Sequence, residues 1–136
     1  MKNLIFGLIL VISVSSLACD CGPRLSPEES YEEASAVFVA TTTTDSRAID
    51  NVVYDFEDGE PPFRMQVNSY GVQILAPIKG QLENVDVVTT GVSRSMCGID
   101  FKKDGTYLIY AYATKYPAQD NKSFLQTSYC TRTQEL

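Results

Sequence analysis

Histidine is missing from all 136 residues of this chain. A Ser-His-Asp triad, a Cys-His dyad, a HExxH zinc site and an imidazole proton shuttle are therefore excluded. Only carboxylate or lysine chemistry remains open, so the chain reads as a non-enzyme with no cofactor. Positive charge is also scarce. Eleven Lys and Arg stand against 17 Asp and Glu. Nucleic acid and anionic membrane surfaces both need a basic face, and neither is an expected partner. Long apolar runs are confined to the first residues. There is no internal repeat and no low-complexity segment beyond Thr41-Thr42-Thr43-Thr44.

What stands at the N-terminus reads as a secretory signal over residues 1–18. Lys2 provides the positive start, Leu4 to Val14 the apolar run, and Ser15-Ser16-Leu17-Ala18 the small residues before a cleavage site. The run is short of the roughly 20 residues a membrane span needs. Cleavage after Ala18 leaves one domain, residues 19–136, and a net charge of −7 once Lys2 is gone. The expected location is periplasmic or extracellular. A competing route is a bacterial lipoprotein signal that acylates Cys19. That route expects an aliphatic residue three places earlier, where Ser16 stands.

Cysteines are few: Cys19, Cys21, Cys97 and Cys130. An even number in an exported chain reads as disulfides and not as metal ligands. Cys19 and Cys21 are separated by one residue. In an extended segment their side chains point to opposite faces, which argues against a bridge between them. Two connectivities remain, and in both the N-terminus is tied to two separate places in the fold.

Further along, Ser26-Pro27-Glu28-Glu29 is a helix start. Ser26 can cap, Pro27 suits the first helical position, and Glu29 completes a capping box for a helix reaching about Ala34. Ala36 to Thr44 is a strand that begins apolar on both faces and becomes Thr-rich, as if leaving the core. Asp45 to Pro62 reads as a polar, acidic connection. Arg64 to Pro77 alternates as a long bent strand with Gly71 at a bulge. Asn84 to Thr90, Thr106 to Ala113 and Ser123 to Tyr129 are the remaining strands. Gly91 to Asp100 is a loop carrying Cys97-Gly98, and the residues after Cys130 form a tail. Five strands after one short helix predict a small antiparallel barrel. A β-sandwich would want about seven strands.

Several pieces together resemble the tissue inhibitors of metalloproteinases (TIMPs), and more closely their bacterial netrin-like relatives. They are Cys19-Asp20-Cys21, Ala36-Val37-Phe38-Val39, Ile78-Lys79-Gly80, Ser95-Met96-Cys97-Gly98, Tyr107-Leu108-Ile109-Tyr110-Ala111 and Tyr129-Cys130-Thr131-Arg132-Thr133. The resemblance implies an all-β fold with one short helix, a five-stranded OB-fold barrel with two disulfides. It implies the pairs Cys19–Cys97 and Cys21–Cys130. It also implies a mechanism. The free α-amine and the carbonyl oxygen of Cys19 would chelate the catalytic zinc of a target protease and displace the water that zinc activates. Asp20 would meet the target's specificity pocket, with Met96 and Gly98 as a second contact ridge. The chain departs from the family at Asp20, where a small or hydroxylic residue is usual, and it lacks the third disulfide and the C-terminal domain of the animal inhibitors.

Two other features read as structural. The acidic stretch Asp55 to Glu60 offers oxygen ligands but lacks the register of an EF-hand loop, so it reads as a solvated loop. Tyr107, Tyr110, Tyr112, Tyr116 and Tyr129 have no basic groove beside them, so barrel packing is the expectation over ligand stacking. Asn121-Lys122-Ser123 fits a glycosylation acceptor but carries little weight beside a bacterial-type leader. The expected function is an exported binding protein and metalloprotease inhibitor acting through Cys19. The alternatives are a non-inhibitory envelope interaction module and a lipoprotein acylated at Cys19.

Overall fold

A computed structural model describes residues 19–54, 63–115 and 123–136. The leader, the acidic stretch from Asp55 to Glu60, Tyr116 and the loop holding Asn121 lie outside the described residues. Helix α1 spans Pro27–Glu33. Among the described residues seven strands follow: β1 Ala36–Thr42, β2 Arg47–Tyr54, β3 Phe63–Lys79, β4 Val87–Gly91, β5 Thr106–Lys115, β6 Ser123–Gln126 and β7 Gln134–Glu135.

The capping box forms as the sequence predicts. The Glu29 amide donates to Ser26 Oγ at 3.2 Å, and the Ser26 amide donates to a Glu29 carboxylate oxygen at 2.8 Å. Two turns of helix are marginal alone. The other end is held from outside, because Lys79 Nζ donates to the Tyr31 and Glu32 carbonyls at 2.5 and 2.8 Å. Those carbonyls lack partners within the helix, and a cation there also suits the helix dipole. Strand β3 thus ends by fastening α1 to the barrel.

Five strands close on themselves in the order β1, β3, β4, β6, β5 and back to β1. This is an OB-like barrel with β2 added beside β3 and β7 beside β5. The barrel is not wholly antiparallel, since β4 and β6 run parallel through Val88–Leu125 and Thr89–Gln126. Both added strands fall where the sequence reads as connection or tail. The two-residue β7 is polar and gives no strand signal of its own, whereas β2 carries β-favouring Ile49 and Val52-Val53-Tyr54 within a stretch read as a polar connection.

The core fills from inward positions of four strands and one loop. Phe38 and Ile109 are fully buried, with Ala36, Ala40, Val72, Val88 and Ala111 around them. Phe101, from the stretch before β5, packs edge-on between Tyr70 and Tyr107, at ring-centroid distances of 5.1 and 4.8 Å. Tyr107 faces inward, while Tyr110 and Tyr112 share the opposite, half-buried face of β5, as the strand period requires.

Two local expectations change. The threonines do not leave the core at once: Thr42 is fully buried, its hydroxyl donating to the Lys102 and Gly105 carbonyls. The register shifts of β3 against β1 fall at Leu75 and Ile78 and not at Gly71. Gly71 instead marks a close approach, since a Cβ there would stand 2.7 Å from Thr43 Oγ1.

Candidate functional site

The site grows from the first three described residues. The Asp20 carboxylate accepts a hydrogen bond from the Gly22 amide at 2.9 Å, and Gly22 has φ +64°. An Asx-type turn of this kind bends the chain directly after the cysteines. Cys19 and Cys21 therefore do not alternate across an extended strand. Their Sγ atoms lie 4.0 Å apart on one side, and Cys19 Sγ is 3.6 Å from Cys130 Sγ.

The bridges are Cys19–Cys97 and Cys21–Cys130, with Cα–Cα distances of 5.4 and 5.1 Å. Their anchors are remote in sequence but adjacent in space, because the Tyr129 amide donates to the Cys97 carbonyl at 2.7 Å. The expected two separate tethers are thus one double clamp. Each loop closure alone corresponds to about 4–5 kcal/mol in the chain-entropy model, and the two overlap almost fully, so they do not add.

Each anchor has its own scaffold. The Cys97 side is a 3-10 turn, Arg94–Met96, closed by amides of Met96 and Gly98 donating to the Ser93 carbonyl at 3.0 and 2.9 Å. Cys97 itself is left-handed, with φ +57°. The turn lies flat on the end of β4, where the Gly98 and Gly91 backbones meet so closely that a Cβ on Gly98 would stand 2.0 Å from the Gly91 oxygen. Gly98 is buried and Met96 half-buried, while Ser93, Arg94 and Ser95 are exposed.

The Cys130 side rests on a threonine cluster built on buried Thr127, with Thr131 and Thr133 half-buried. Thr127 Oγ donates to the Tyr110 carbonyl at 2.9 Å and lies 2.8 Å from Thr133 Oγ, and the Tyr110 amide donates to Thr133 Oγ at 2.9 Å. Arg132 adds a third hold on the N-terminal segment, donating from two guanidinium nitrogens to the Leu25 carbonyl at 2.9 and 2.6 Å.

The result is a rigid terminal segment presented at the surface. Asp20, Cys21, Gly22, Pro23 and Arg24 are exposed, and Cys19 is half-buried. Tyr129 stands beside them at 71% exposure. A cleft of about 420 Å³ runs from Cys21 and Leu25 to Tyr107 and Thr133. The structure brings together Cys19, Asp20, Met96 and Gly98 through the Cys19–Cys97 bridge, with Gly98 supporting the turn from beneath. Sequence reasoning gave Arg132, Tyr129 and Gly91 no role at the site. Tyr129 and Arg132 appeared only as parts of the Tyr129 to Thr133 motif and the tyrosine set, and Gly91 only as a glycine ending a β-branched run.

The three sulfurs of Cys19, Cys21 and Cys130 have metal-ligand spacing, all within 4.8 Å, but in this oxidised form every one is in a bridge. No protein-family model and no curated protein matches the chain. Among the described residues, no helix is long and apolar enough to cross a membrane.

Proposed function

We propose that this chain is an exported, non-enzymatic binding protein of the TIMP and netrin-like kind. It acts by laying its N-terminal segment on the catalytic zinc of a metalloprotease. The observation that carries the reading is the double clamp: Asp20 and Cys21 are exposed and Cys19 half-buried, and the segment is fastened through two bridges at one end of the barrel. A segment ordered before binding loses little conformational entropy on binding, which is what a short chelating terminus needs. With Cys19 as the first residue, its α-amine titrates near 8 unperturbed, so a neutral fraction is available to zinc at neutral pH. The carbonyl oxygen of the same residue completes a five-membered chelate. Met96 flanks the Cys97 anchor as a second contact.

One observation favours a second reading, a non-inhibitory interaction module. Asp20 puts a carboxylate where the partner's specificity pocket would receive it, and burying that charge in an apolar pocket costs several kcal/mol unless a cation meets it. A single comparison separates the readings. Protein beginning at Cys19 is assayed against a panel of zinc metalloproteases beside the same chain carrying one alanine before Cys19. Inhibition that the extension abolishes supports chelation. Absence of inhibition in both, or inhibition that survives the extension, refutes it. Acylation at Cys19 would likewise end amine chelation, and intact-mass measurement of the native protein reads it directly.

A further inference from the structure

Three of the four cysteine sulfurs, those of Cys19, Cys21 and Cys130, lie within 4.8 Å of one another, closer than two independent bridges require, and Cys97 is tied to this group through its bridge to Cys19. Cys19 Sγ lies 3.6 Å from Cys130 Sγ and 4.0 Å from Cys21 Sγ, beside its own partner Cys97. Zinc bound by four thiolates at about 2.3 Å holds its sulfurs about 3.8 Å apart in a tetrahedron. The two non-bonded distances bracket that edge. Of the other four edges, two, Cys19–Cys97 and Cys21–Cys130, are the covalent bridges, and opening them lets those sulfurs separate toward the same spacing. The last two run from Cys97, whose sulfur stands outside the group of three and swings in once its bridge to Cys19 is open.

We infer that the clamp has a second, reduced state in which Cys19, Cys21, Cys97 and Cys130 form a site for one soft, tetrahedral metal ion such as Zn²⁺. Reduction takes one dithiol per bridge, two in all: each delivers two electrons and two protons to its bridge and is left as its own disulfide. Metal binding then displaces protons from the four thiols as they become thiolate ligands. Thiolate donors select zinc or copper(I) over magnesium and calcium.

The scaffold suits such an exchange. The Cys97 turn is held by Gly98, Ser93 and Tyr129 backbone bonds, and Cys130 sits next to the Thr127–Thr133 cluster. Arg132 holds the Leu25 carbonyl independently of any sulfur. None of these contacts depends on the bridges, so the anchors stay near one another when the bridges open. A metal ion then replaces two covalent links with one coordination centre.

The test is anaerobic titration of the purified protein with Co²⁺ after reduction by a phosphine, alongside the untreated protein. The expected result is one Co²⁺ per chain in the reduced protein, with thiolate-to-cobalt charge-transfer and tetrahedral ligand-field absorption, and neither band in the oxidised protein. Near-ultraviolet circular dichroism should show the barrel retained or restored in the cobalt form. The variant Cys130→Ser should lower the charge-transfer intensity by about a quarter, as one of four metal–sulfur bonds is lost. Should that variant not fold, the wild-type titration still decides, since stoichiometry and band intensity count the thiolates. Reduced protein without the thiolate band, cobalt shared between two chains, or cobalt bound while the barrel stays melted would each overturn the inference. No protease enters the experiment, so its outcome is independent of the inhibitor reading.

Discussion

Replacing Gly98 with alanine tests the turn that carries Cys97. The new Cβ would stand 2.0 Å from the Gly91 oxygen, 2.7 Å from the Gly91 carbonyl carbon and 3.0 Å from the Ser93 oxygen. The first of these is about 1.5 Å short of an ordinary contact of ~3.5 Å. All three atoms are backbone, so no side chain can swing aside. Gly91 is also paired with Val67 of β3, and moving it breaks the ladder that closes the barrel. Overpacking costs about 1–3 kcal/mol where side chains can adjust, so the expected loss is about 3 kcal/mol or more. At roughly 4 °C per kcal/mol for a domain of this size, Tm should fall by about 10 °C or more. The control is Gly22→Ala, where φ is +64° but a Cβ meets nothing within 4 Å. Only the left-handed penalty applies there, about 1–2 kcal/mol. Thermal unfolding of both oxidised variants, followed by circular dichroism, makes the comparison. A Gly98→Ala protein melting within about 2 °C of wild type would refute the packing argument.

Three further outcomes follow from the same geometry. Phe38→Ala empties a fully buried position at the barrel centre and should cost about 3–5 kcal/mol in denaturant unfolding. Arg132→Ala removes two charged hydrogen bonds to the Leu25 carbonyl and should cost about 1.5–3 kcal/mol, with faster amide exchange confined to residues 22–26. Ser26→Ala should cost about 1 kcal/mol by removing the helix cap. The cap also predicts an acid response. Hydrogen bonds from the Ser26 backbone and then its side chain hold the Glu29 carboxyl below its ordinary value. A lowered folded pKa means the contribution is present above the unfolded value and lost as pH falls through the folded one. Stability curves of wild type and Glu29→Gln should therefore converge on acidification, and parallel curves would contradict the assignment.

Much of the fold was legible because it rests on local chemistry. Ser26, Pro27 and Glu29 specify the helix start through bonds made within four residues. Ala36 to Thr42 and Thr106 to Ala113 carry enough β-branched and aromatic residues to declare themselves as strands. The OB-like barrel and both bridges also match the expectation drawn from the chain's resemblance. By contrast, nothing in Gln134-Glu135 demands a strand alone, and β7 is made one by its neighbour, whereas β2 holds strand-forming Ile49 and Val52-Val53-Tyr54 whose signal was passed over among the charged and polar residues around it. Register shifts at Leu75 and Ile78 likewise arise from fitting a 17-residue strand to a short, closed barrel.

For the candidate site the division is sharper. Cysteine count and spacing, with no histidine, point to a disulfide-held terminus and away from imidazole catalysis. The side on which each sulfur lies was not readable, because the Asp20–Gly22 turn overrides the two-residue alternation of an extended chain. That Cys97 and Cys130 are neighbours depends on one backbone bond between Tyr129 and Cys97. That Gly98 must be glycine depends on Gly91, seven residues earlier. Arg132 holds a backbone carbonyl 107 residues away in sequence, and a carbonyl is the same group at every position. A sequence specifies which bonds a residue can make, and only closure of the barrel decides which partners come within reach.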